Sequence, residues 1–216
     1  MTFDAALTLA AGTVLVTAVV VLWLTSVHAA VRIVAVQGCA LGAVSLILGL
    51  RHRDVGLVAT AVVVVGLKGV GIPLLLGQTD DERRAERESR PLVNVPASLV
   101  ASAGLIIVAF LTTRDLGRFV GTRAGALVPV GVATLLIGFF VLVTRRRPVL
   151  QIVGLLMVDN GIALVAFLST AGVPFLIELG VSLDVLLGII VLMILTRRLR
   201  SEFGDVELDE LRELRD

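Results

Sequence analysis

Four ionisable side chains interrupt the apolar runs of this 216-residue chain, and their types suit the handling of protons. Lys68, in Gly66-Leu67-Lys68-Gly69-Val70-Gly71-Ile72-Pro73, is the one lysine among nineteen basic residues. A desolvated ammonium can release its proton, which a guanidinium does not do. Asp159 stands in Gly154-Leu155-Leu156-Met157-Val158-Asp159-Asn160-Gly161-Ile162. A buried carboxyl can be neutral at rest and ionise when water or a cation approaches, as a proton relay requires. Glu178 and Asp184 share the last apolar run, and Asp184 is centred between Gly180 and Gly188. Small residues on its face let a neighbouring helix or a file of waters come close. Placing such groups at the bilayer centre costs at least about 2.5–3.5 kcal/mol each, so each needs a reason. The expectation is a proton pathway through Lys68, Asp159, Glu178 and Asp184, with Gln37 and Asn160 as supporting polar residues. The competing readings are a snorkelling lysine, a protonated aspartic acid serving only as interhelical glue, and a Glu178 that faces the outer interface. Ser45, Ser98 and Ser102 read as helix–helix hydrogen bonds, and Trp23 as an interfacial anchor.

The elements that must position these groups follow from composition. Hydrophobic residues make up 57% of the chain and charged ones 17%, with a mean hydropathy of +1.01. Soluble domains run at about 45–50% and about 25%, so the chain is read as an all-α integral membrane protein. A crossing of about 30 Å needs roughly 20 apolar residues. Runs of that length predict seven spans near 5–26, 30–50, 55–77, 96–113, 125–144, 149–169 and 174–196. The layout is three N-terminal helices in 1–77, a charged loop at 78–95, four helices in 96–200 and an acidic tail at 201–216. Thirteen arginines fall on the C-terminal side of these spans and five on the other. By the positive-inside rule, loop and tail are cytoplasmic and the N-terminus is outside. That describes a multi-pass protein of the inner, cytoplasmic membrane. The loop reads as a solvated connector before a docking surface.

Cys39 is the only cysteine, and His28 and His52 are the only histidines. A disulfide framework, a cysteine-ligated iron–sulfur cluster and a structural zinc site each need several such ligands. No cofactor or metal site is expected in this chain, nor any contact with nucleic acid.

The stretch from Gln151 to Asp216 resembles a known family. The residues that carry the likeness are Gly154 to Ile162, Glu178 to Gly188, Arg197-Arg198, and the ending Val206 to Arg215. They look like component E of hydrogenase-4, a membrane subunit of a [NiFe]-hydrogenase related to complex I. Together with the preceding span and Arg145-Arg146-Arg147, residues 125–200 also resemble the three-helix K-type subunit of complex I and the C subunit of multisubunit cation/proton antiporters. The likeness to component E extends over nearly the whole chain in length and span number, the mid-span Lys68 included. It implies intramembrane carboxylates that take part in proton translocation. It also implies nickel–iron and iron–sulfur centres in partner subunits. Component E usually has Glu before its Asn-Gly pair, and here that position is Asp159, one methylene shorter.

The expected function is therefore a non-redox membrane subunit of a complex I-like hydrogenase of the hydrogenase-4 or formate hydrogenlyase type. It would contribute to proton translocation or anchor the membrane arm, and would have no catalytic activity alone. Its partners would be antiporter-like and complex I-like membrane subunits, peripheral redox subunits, and the bilayer. The alternatives are a subunit of a multisubunit cation/proton antiporter and a structural scaffold of the membrane arm.

Overall fold

The computed structural model describes residues 3–24, 26–71, 74, 93–120, 123–146 and 148–170. The seventh expected span, with Glu178 and Asp184, the acidic tail and most of the charged loop lie outside the described residues. Within them the chain is helical, with no strand. Helix α1 is Phe3–Trp23, α2 is Val27–His52, and α3 is Val55–Val64, continued by a π-helical segment at Val65–Gly71. Helix α4 is Val95–Val120, a 3₁₀ turn at Gly125–Leu127 leads into α5 at Val128–Thr144, and α6 is Pro148–Thr170. Five of these segments are long and apolar enough to cross a membrane, while Val55–Gly71 is shorter. The fourth helix outruns its expected end at 113, continuing to Val120. An apolar run sets what can lie in hydrocarbon, but helical hydrogen bonding is free to continue into water.

Polar residues at the boundaries start and stop the helices. Ser26 caps α2, whose C-cap Arg53 takes a left-handed φ of 54°. Asp54 then caps α3, accepting from the Gly56 amide at 2.8 Å. Asn94 does the same for α4, accepting from Ala97 at 2.9 Å. Each cap satisfies backbone donors that the helix itself leaves open.

Helix α2 packs on α1, α3, the π-helical segment and α6, while α5 packs on α1, α4 and most extensively on α6. Apolar packing alone does not drive helices together in lipid, so close backbone approach must contribute. Glycines supply it between α5 and α6. A Cβ added at Gly138 would lie 2.6 Å from the Val158 amide nitrogen, one at Gly161 2.6 Å from that of Leu135, and one at Gly154 2.6 Å from that of Leu142. Gly138→Ala must push two backbones apart, and overpacking of this kind costs about 1–3 kcal/mol. A lower thermal-unfolding midpoint in detergent is expected; an unchanged midpoint would show that the α5–α6 contact is looser than these distances.

The two ends of the bundle are held by arginines. At one, Asp4 meets Arg51 at 2.6 Å and Arg123 at 3.0 Å, joining α1 to the end of α2 and the approach to α5. At the other, the buried Arg145 donates to the Val21 and Leu22 carbonyls at 3.2 and 2.9 Å at the C-terminus of α1, where Val21 also accepts from the Leu24 amide.

Candidate proton site

Lys68 and Asp159, far apart in the chain, meet in the bundle interior. Lys68 Nζ lies 2.8 Å from Asp159 Oδ2, and the two residues are only 3% and 5% exposed. Two charges held this far from water must be closely paired, because an isolated ion in that environment is strongly disfavoured. The snorkelling reading of Lys68 is thereby corrected: its side chain turns into the bundle toward α6, and the opposite charge there substitutes for an aqueous interface.

Local backbone geometry brings the lysine in. The glycines around Lys68 stand in a π-helical segment that follows directly on α3. Such segments widen a helical turn and re-aim its side chains, often at functional sites. Against this segment lies Gly38 of α2, where an added Cβ would come within 2.8 Å of the Lys68 carbonyl carbon and 2.9 Å of its oxygen. Only a hydrogen fits.

A second polar chain adjoins the ion pair. Asn160 Nδ2 donates to Gln37 Oε1 at 3.0 Å, and Gln37 Nε2 donates to the Val14 carbonyl at 2.9 Å. All of these groups are buried, so the chain links α6, α2 and α1 through bonds with little competition from water. Asn160 Oδ1 is buried with no hydrogen-bond partner among the described residues, leaving one acceptor in the network for a further donor such as water. Gln37-Gly38 therefore serves both halves of the site. Gln37 fixes the α6 turn that carries Asp159, and Gly38 seats the backbone that carries Lys68.

Three polar positions divide differently from the reading of the sequence. Ser45 donates across helices, to the Leu57 carbonyl at 2.9 Å. Ser98 and Ser102 instead donate within their own helix, to the carbonyls of Asn94 and Leu99. A hydroxyl near its own backbone finds an acceptor there without needing a neighbour. Glu178 and Asp184 lie outside the described residues. Among the described residues no three His, Cys, Asp or Glu side chains group as a metal site. Two features of the packing carry a signal in the sequence. The α5–α6 glycines recur at intervals of seven, Gly131 with Gly138 and Gly154 with Gly161, and Gly38 directly follows the buried Gln37.

No family model matches the chain, and no solved structure matches it. A protein of Mycobacterium tuberculosis (strain ATCC 25618 / H37Rv), Uncharacterized protein Rv0085, is 45% identical over 208 residues, covering 96% of this chain and 94% of that one. Hydrogenase-4 component E of Escherichia coli (strain K12) is 28% identical over 123 residues, 56% of each chain. The Shigella flexneri component E shows the same identity and coverage. Component E is thus a more distant relative than the mycobacterial protein, and by identity over nearly its full length the chain belongs to the family of Rv0085.

Proposed function

We propose that this chain is a non-redox membrane subunit of a complex I-like hydrogenase, of the hydrogenase-4 or formate hydrogenlyase type, and that Lys68 and Asp159 form part of its proton path. The observation that carries the reading is the buried Lys68–Asp159 pair at 2.8 Å, in a chain related to a hydrogenase-4 membrane subunit. A paired ammonium and carboxylate can exchange between a charged and a neutral state by moving one proton from nitrogen to oxygen. Glu178 and Asp184 are assigned to the same path on sequence grounds. Nickel–iron and iron–sulfur centres belong to partner subunits in this reading. The subunit lies in the cytoplasmic membrane with its N-terminus outside, as the arginine distribution indicates.

The same ion pair favours a second reading, a scaffold in which Lys68 and Asp159 merely tie α3 and its π-helical extension to α6. Lys68→Arg separates the two. A guanidinium keeps the positive charge and pairs with a carboxylate but does not give up its proton. The subunit complex that co-purifies with the chain is reconstituted in liposomes, and hydrogen-linked turnover and proton uptake are followed together. The proton-path reading expects an assembled complex with proton-coupled turnover at least about tenfold lower, corresponding to about 1.4 kcal/mol of lost transition-state stabilisation. Wild-type turnover and proton uptake in an assembled Lys68→Arg complex would leave the scaffold. Sodium movement without redox turnover would point instead to the antiporter subunit.

A further inference from the structure

A cleft of about 330 Å³ opens between the first turns of α2 and the end of the π-helical segment, lined by His28, Val31, Arg32, Ala35, Val70 and Leu74 together with Gly69. We propose that this cleft binds one anionic phospholipid, its phosphate held at Arg32 and His28 and the start of an acyl chain laid along Val31, Ala35, Val70 and Leu74.

Three features support a lipid over a soluble anion. The walls are apolar, and Val70 and Leu74 are exposed, as side chains in contact with hydrocarbon are. Arg32 and His28 stand on the same face of α2, one turn apart and exposed, so a single phosphate can meet both. Among the described residues no carboxylate lines the cleft. Depth agrees with this assignment. Trp23, the last residue of α1, is 71% exposed a few residues before His28, and exposed tryptophans favour the headgroup level of a bilayer. From His28 to Ala35 the helix rises about 10 Å, which takes the wall from headgroup depth into the hydrocarbon. A basic pocket between membrane helices on one side of the bilayer is the chemistry that selects an anionic headgroup.

The test of this site needs neither redox activity nor partner subunits. The full chain is purified in mild detergent, supplied with phosphatidylglycerol or phosphatidylcholine of identical chains, and bound lipid is counted by native mass spectrometry. The wild type is expected to retain one phosphatidylglycerol in preference to phosphatidylcholine. Arg32→Gln should reduce that preference about fivefold, as the loss of one basic residue near an anionic headgroup predicts. Ala35→Phe, which fills the cleft and leaves both basic residues in place, should lower retention of either lipid. Arg53→Gln, at the opposite end of α2, should change nothing, and circular dichroism confirms that each variant remains helical. An undiminished phosphatidylglycerol preference in Arg32→Gln, unchanged retention in Ala35→Phe, or displacement of the lipid by millimolar inorganic phosphate would each overturn the proposal.

Discussion

Lys68→Met is expected to destabilise the bundle by about 3–5 kcal/mol, the cost of leaving one member of a buried ion pair without the other. Methionine fills much the same volume, so the loss is electrostatic. Asp159, 5% exposed, would have to stay ionised with no cation beside it or take up a proton and forgo the pairing. Asp159→Leu alone removes the carboxylate 2.8 Å from the Lys68 ammonium and carries a penalty of the same sign. The double variant Lys68→Met with Asp159→Leu should recover most of the stability, because replacing both members of a buried pair by apolar groups is often neutral or better. Unfolding of the four proteins in one detergent gives the coupling between the two positions. Two mild, additive single substitutions would mean that the charges are not coupled. The cycle also has a bearing on function: a double variant that assembles stably yet moves no protons shows that the pair is kept for what its charges do.

Gly38→Ala is expected to have the second-largest effect, and by a different route. Its new methyl group would stand 2.8 Å from the Lys68 carbonyl carbon and 2.9 Å from the oxygen, both backbone atoms that cannot turn aside as a side-chain tip would. The π-helical segment must shift outward, carrying Lys68 away from Asp159, while Gln37 and Asn160 continue to hold α6 against α2. Overpacking costs about 1–3 kcal/mol, so the chain should still insert and fold. Proton-coupled turnover in the reconstituted complex should fall at least as far as in Lys68→Arg, since positional errors of about an ångström can cost about a hundredfold in rate. Alanine at Gly12, which meets nothing within 4 Å, serves as the matched control. Full turnover in Gly38→Ala would show that the lysine reaches its partner from more than one backbone position.

Much of this protein was legible before any fold was in view, because the information is local. A run of about 20 apolar residues must become a helix in hydrocarbon, where backbone groups have no other partners. Among the described residues, helices overlap six of the expected spans, and five of them are long and apolar enough to cross a membrane. An ionisable residue inside such a run is conspicuous for the same reason, and so Lys68 and Asp159 stand out by type and position alone. The irregular backbone at Lys68 was also foreshadowed, by three glycines within six residues and a proline close behind.

What the chain did not disclose is who meets whom. That Lys68 faces Asp159, that Gln37 bridges Asn160 to the Val14 carbonyl, and that Arg145 closes the end of α1 are relations between distant segments. Hydropathy carries no trace of them, since a helix satisfies its length requirement in any rotation about its axis. Rotation and pairing are set by close packing, here by glycines whose missing side chains admit another backbone. Arg145 illustrates the difference: in the sequence it is one more charge in a loop between spans, and in the fold it is buried and bonded to two carbonyls. The sequence by itself determined an all-helical membrane protein with charges in its interior. Only the tertiary structure decided that two of those charges form a pair, because a salt bridge depends on the relative rotation and depth of two helices, and neither quantity is encoded in either helix alone.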